Sequence, residues 1–151
     1  MKIDNINKKI LYLLQKDARM TYKEIATELK RSETTIRDRI KAMERIGIIQ
    51  GYTALINKTA LGLNFFAIIL LNPTSSSEID TITQKIKKVK NVVRLYEISG
   101  HHRLAVFMVA PSYSELKKIV NKQLLPIGLE DEEIISVLEA ETEFISPLEI
   151  P

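Results

Sequence analysis

RSETTIRDRIKAMERIGIIQGY, residues 31–52, gathers five basic side chains on what reads as one short helix. It opens on small polar residues, carries Arg31, Arg37, Arg39, Lys41 and Arg45, and closes on Gly47 and an apolar pair. Ile36, Ile40, Met43 and Ile46 recur at the helical period, so they predict one buried face. Ser32 suits the N-cap of that helix and Gly47 its C-terminal stop. Subtracting the buried face leaves Glu33, Thr34, Thr35, Arg37, Asp38, Arg39, Lys41, Glu44 and Arg45 outside. Short hydroxyls followed by Arg and Lys suit a helix lying in a DNA major groove. Thr can meet a base edge or a thymine methyl, Arg can grip guanine twice, and outlying bases can hold phosphate.

Working upstream, TYKE at 21–24 has the capping-box form, with Thr21 and Glu24 each satisfying the other's backbone amide. Ile25, Ala26 and Leu29 follow as a short buried face, and only Lys30 and Arg31 separate Leu29 from Ser32. Two helices meeting across so tight a turn have the spacing of a helix-turn-helix. Asp4 suits the cap of a further helix, whose stripe is Ile6, Ile10, Leu13 and Leu14. A solvated amphipathic helix is the competing reading of residues 32–46, but the tight turn and local charge favour DNA.

Downstream the period changes. FFAIILL (65–71), VVRLYEI (92–98), LAVFMV (104–109) and IISVLEAETEF (134–144) read as strands. SSSEIDTITQKIKKV (75–89) and SYSELKKIVNKQLL (112–125) read as helices, the second opened by a capping box of Ser112 with Glu115. The order β-α-β-β-α-β is the ferredoxin-like unit, so the fold class is α+β. In that unit the first and third strands are central, and those two carry the unbroken apolar runs. The second and fourth carry Arg94, Glu97, Glu139 and Glu141. Helices cover one face of such a sheet, so strands apolar on both faces call for a second cover, expected to be the same sheet of another subunit.

Charge divides along the same line. Residues 1–52 hold 12 Lys/Arg against 7 Asp/Glu, while residues 53–151 hold 10 against 12. A polyanion partner is therefore expected for the first part alone. The chain of 151 residues has a globular composition and no Cys, which excludes disulfides and thiolate chemistry. Its N-terminus lacks the continuous apolar core of a signal peptide, and FFAIILL is far short of the roughly 20 residues that span a membrane. A cytoplasmic location is expected, without cofactor or metal. No Gly-rich phosphate loop, H-E-x-x-H or G-x-S-x-G is present, so no catalytic residue is assigned. No aromatic-rich strand motif for stacking RNA bases is present either.

Two stretches carry a family resemblance: IDNINKKILYLLQKDARMTYKEIATELKRSETTIRDRIKAMERIGIIQGYTALIN and, after a turn, YEISGHHRLAVFMVAPSYSEL. With these the chain resembles the Lrp/AsnC, or feast/famine, transcription regulators over nearly its whole length. The resemblance implies a winged helix-turn-helix at 1–50, a connecting strand and linker at 51–63, and a RAM/ACT-like βαββαβ domain at 64–151. It implies dimers formed through that domain, often four to an octamer, and a small-molecule effector bound between dimers near the turn joining the second and third strands. The implied DNA-contacting residues are Thr21, Tyr22, Arg31, Ser32, Thr34, Thr35, Arg37, Arg39 and Lys41. The implied effector turn is Ser99, Gly100, His101, His102 and Arg103, with Gly100 suited to positive φ. The family's turn is usually acidic after its Gly, whereas this one offers two His and an Arg. The expectation is therefore no response to neutral amino acids, and an anionic effector or none. A DNA-coating, architectural role without effector shares every N-terminal feature.

Overall fold

A computed structural model describes residues 3–75, 78–139, 147 and 150. The chain forms two compact units that divide between Leu55 and Ile56. In the first, the period-3.6 stripes become α1 (Asn5–Lys16), α2 (Tyr22–Leu29) and α3 (Glu33–Arg45). Each starts on a side-chain oxygen that takes a backbone amide: Asp4 from Asn7, Thr21 from Glu24, Ser32 from Thr35. Ile10, Ile25, Ile36, Ile40 and Met43 close over one another and are 0–1% exposed. Lys30, in the left-handed region at φ +52°, makes the α2–α3 turn, and the Arg31 amide returns to the Ala26 carbonyl. Gly47, at φ +75°, ends the recognition segment as its composition predicts.

The expected connecting strand is not formed. Among the described residues no strand lies between α3 and Phe65; residues 59–61 make a single 3-10 turn. The Ile48 and Ile49 amides fold back on the Met43 carbonyl, so they finish the helix instead of starting a ladder. An extended stretch needs a ladder partner to become a strand, and among the described residues none pairs with residues 51–56.

The second unit is a four-stranded sheet of β1 (Phe65–Pro73), β2 (Val92–Glu97), β3 (Leu104–Ala110) and β4 (Leu129–Val137). Its order is β2-β3-β1-β4 and every neighbouring pair is antiparallel. The two strands with unbroken apolar runs are indeed the central ones. Helices α4 (Ile79–Ile86) and α5 (Tyr113–Ile119) share one core with Ala67, Ile69, Leu71, Val106 and Met108, so they cover a single face. The opposite face presents Phe66, Ile68 and Leu70 from β1 and Phe107 from β3. Phe66 and Tyr96 flank Phe107 there, at 6.2 and 5.6 Å between ring centroids. Tyr96 and Ile135 remain 49% and 41% exposed on that face.

Three elements differ from expectation by more than two residues at an end. The last strand runs 129–137 instead of 134–144, so its charges are Glu130, Asp131, Glu132 and Glu133 while Glu139 lies past its end; residues 140–144 fall outside the described ones. An edge strand is fixed by its pairing with β1, and that pairing begins at Pro73↔Leu129. α4 is shorter than 75–89: beyond Ile86 the amides of Lys88 and Val89 bond three residues back and tighten the chain. α5 gives way at Val120 to a π turn and then a 3-10 turn containing Pro126. Only half of its capping box forms, because the Glu115 carboxylate goes to Lys118.

Candidate nucleic-acid interface and effector turn

On α3, residues 34, 37, 41 and 45 are separated by three or four positions and therefore share one face. Thr34, Arg37, Lys41 and Arg45 are all exposed there. The only ion pair that engages this face among the described residues is Arg37 Nε to Asp38 at 3.5 Å, open to solvent on both sides. Thr34 and Lys41 are held by no side-chain bond, and Arg45 joins them though the site expected from sequence omits it. Its signal was the spacing alone.

The other expected DNA contacts also make bonds or packing contacts within the chain. Ser32 accepts the Thr35 amide and shares a 2.7 Å hydroxyl contact with Thr35, so both hydroxyls are used in the cap. Thr21 is used likewise: its amide and hydroxyl both donate to Glu24 Oε2, at 2.7 and 2.8 Å. Those bonds, the backbone one first, hold the Glu24 carboxyl below its ordinary value. Tyr22 packs against the helical core. Arg31 lies exposed at the turn and donates to the Lys30 carbonyl at 3.1 Å.

Arg39 turns away from the exposed stripe toward α1. Its Nη1 donates to Asp4 Oδ2 at 2.7 Å and to Asn7 Oδ1 at 2.9 Å. Asp4 thus caps α1 with one oxygen and grips α3 with the other. The Asn7 amide hydrogen bond, then the Arg39 bond, lower its carboxyl from the usual range. Asn7 is 2% exposed and is the one buried polar side chain among the described residues. At the other end of α3, Tyr52 donates to Glu44 Oε1 at 2.8 Å. Partial desolvation of this half-exposed phenol, reinforced by that carboxylate, pushes it up to about 12.

In the sheet unit, Ser99–Arg103 forms the β2–β3 turn, with Gly100 at φ +123° as its composition predicts. A Cβ there would meet open space, so the glycine serves the backbone angle and no close approach. Asn72, at the end of β1, holds the turn from beneath. Its side chain donates to the His101 carbonyl at 3.1 Å and accepts the Arg103 amide at 2.9 Å. The turn's side chains find partners within the same chain. Arg103 Nη2 donates to Glu97 at 2.8 Å. His102, whose side chain is 11% exposed, has Nε2 3.0 Å from the Asp131 carbonyl and Nδ1 3.9 Å from Glu133. A carbonyl only accepts, so the proton sits on Nε2. Asp131 itself occupies φ +53°, beside the register shift in the β1–β4 pairing. His101 stacks edge-on against His102. Among the described residues no group of three or more His, Asp or Glu could hold a metal ion. No described helix is long and apolar enough to cross a membrane.

Residues 3–50 match a family described as winged helix-turn-helix DNA-binding, and residues 64–143 match the Lrp/AsnC ligand binding domain. The chain is 37% identical over 122 residues to the HTH-type transcriptional regulator LrpA of Pyrococcus horikoshii, covering 81% of this chain and 86% of that one. It is 32% identical over 125 residues to the HTH-type transcriptional regulator Ptr1 of Methanocaldococcus jannaschii, covering 83% and 84%. In fold it is similar to AsnC of E. coli, with a TM-score of 0.87 at 23% identity over 98% of this chain and 100% of that one. A Neisseria meningitidis transcriptional regulator solved as its L-Met complex gives 0.86 at 22% identity, over 99% and 97%.

Proposed function

Because the chain belongs to the Lrp/AsnC family of helix-turn-helix transcription regulators, we propose that it reads duplex DNA sequence-specifically through α3, as a two-fold assembly. The observation that carries this is the stripe Thr34, Arg37, Lys41 and Arg45, exposed on a helix capped by Ser32 behind a left-handed turn. Arg37 is the base reader and Lys41 and Arg45 are phosphate holders. The sheet face around Phe66, Ile68 and Phe107 is covered by the same face of a second chain, which brings two recognition helices to one site. Their separation should match one or more helical turns, roughly 34 Å each, so the site should be near-palindromic.

Selection of bound duplex from a random pool tests this directly. A palindromic consensus is expected. Arg37→Ala should lose about 1–3 kcal/mol on it and relax the preference at one position, while Lys41→Ala should weaken all sequences alike. Absence of any enriched sequence, with equal binding by the Arg37→Ala/Lys41→Ala double variant, would overturn the proposal.

The internal pairing of Arg103 with Glu97 and of His102 with Asp131 supports a second, narrower reading, in which the turn 99–103 answers to no free amino acid. A small anion would have to displace the Glu97 carboxylate from Arg103 and the Asp131 carbonyl from His102, which leaves an anionic effector poorly served. Calorimetric titration of the twenty amino acids should give no heat of binding. Micromolar binding of a neutral amino acid such as leucine, abolished by Gly100→Ala or His102→Ala, would restore an effector role for this turn.

A further inference from the structure

The sheet unit carries more acids than bases, yet four of its ten cations fall within six residues, at Lys85, Lys87, Lys88 and Lys90. All four are exposed. The ion pairs of this unit among the described residues are His102–Glu133, Arg103–Glu97, Lys117–Glu132 and Lys118–Glu115, so none of the four has an acid at ionic distance. The segment that bears them is firmly held. Ile86 is 0% exposed and Val89 packs on the sheet core. The amides of Lys87, Lys88 and Val89 are bonded back into α4. Asn91, at φ +72°, turns the chain into β2, and its carbonyl accepts the Val109 amide at 3.0 Å.

The end of a helix welcomes a cation or two, because its last carbonyls are unpaired. Four like charges on neighbouring positions exceed that benefit and repel one another. An anion with several charges at short spacing would relieve the repulsion. Lysine is depleted at protein–protein interfaces, where aromatic and Arg anchors dominate, and it suits phosphate as a compact point charge without sequence reading.

We propose that Lys85, Lys87, Lys88 and Lys90 form a second phosphate-binding surface, which holds duplex DNA non-specifically beside the site read by α3. The inference rests on the DNA-binding reading of the first unit. Once α3 is bound, neighbouring duplex is present at high effective concentration, so modest contacts by a tethered second unit lengthen the bound complex. The ridge contributes nothing to sequence preference and adds to affinity only where flanking DNA exists.

The experiment compares the full chain with its Lys85→Gln/Lys87→Gln/Lys88→Gln/Lys90→Gln variant and the matching four-fold Lys→Arg variant. Each is titrated with a minimal selected site and with the same site in long flanking duplex, over a range of salt. On the long duplex the Gln variant should show a log K against log salt slope shallower by about 0.9 per lost phosphate contact, about 3–4 for the whole ridge. The Arg variant should keep the wild-type slope, and on the minimal site all three should agree. A Gln variant that matches wild type on long duplex, while wild type binds the minimal site, overturns the ridge alone. Wild type that binds neither duplex overturns the DNA reading and the ridge with it. Loss of polyglutamate binding with DNA binding intact would overturn the proposal in favour of an acidic protein partner.

Discussion

Replacing Arg39 by Met should destabilise the helical unit by about 2 kcal/mol through the loss of one buried hydrogen bond. The guanidinium fills the acceptor of Asn7 at 2.9 Å, and Asn7 is 2% exposed. Without that donor a buried amide oxygen is left unpaired, which costs about 1–3 kcal/mol. The Asp4 arm is shorter, at 2.7 Å, but solvent reaches both of its side chains, so screening makes it the smaller part. Met keeps the aliphatic stem, which isolates the polar loss from a packing loss. Hydrogen exchange of the α1 and α3 amides in the full chain reads the change locally, as a lower free energy of opening. The double variant Asn7→Leu/Arg39→Met removes donor and acceptor together, and such paired replacements by apolar groups are nearly neutral. It should therefore recover most of the lost stability. DNA affinity should follow the same course, falling in the single variant and returning in the double. The reasoning is refuted if Arg39→Met leaves exchange unchanged while it flattens the salt dependence of DNA binding. The residue would then be a phosphate contact.

Two further outcomes are expected. Phe107→Glu places a charge at the centre of the open sheet face, between Phe66 and Tyr96, and should give a folded monomer in light scattering at micromolar concentration; an unchanged dimer would remove this face as the interface. Tyr52, raised to about 12 where a free phenol titrates near 10, favours its neutral form in the folded chain. Its contribution is therefore complete below about pH 10 and lost as pH rises through 12. Denaturant titrations should show wild type losing more stability than Tyr52→Phe across that window, and parallel curves would show that the Glu44 bond does not operate.

Features that depend on near neighbours along the chain were legible before any fold was known. Caps at Asp4, Thr21 and Ser32, the turn at Lys30, the stop at Gly47 and the turn at Gly100 each follow from a few adjacent residues. The apolar runs of β1 and β3 also announced their central places, because a central strand whose two faces are both apolar shows no alternation in sequence. Function at the level of family was legible for the same reason: the helix-turn-helix is a local pattern of stripe, turn and exposed charge. Packing between helices settled which exposed charges another element takes up. Arg37 and Arg39 are two residues apart on one helix, yet α1 claims Arg39 through Asp4 and Asn7 and leaves Arg37 to solvent. Spacing along α3 separates their faces but cannot say which face another helix will occupy. The effector turn gives the same lesson. Two His and an Arg read as a cationic turn, until Glu97 takes Arg103 and a backbone carbonyl at the bulged end of β4 takes His102. The extent of β4 was misread because its acidic start, Glu130–Glu133, has the composition of a loop. It is a strand because β1 offers it a ladder, and a hydrogen-bonded partner some sixty residues away leaves no trace in local periodicity.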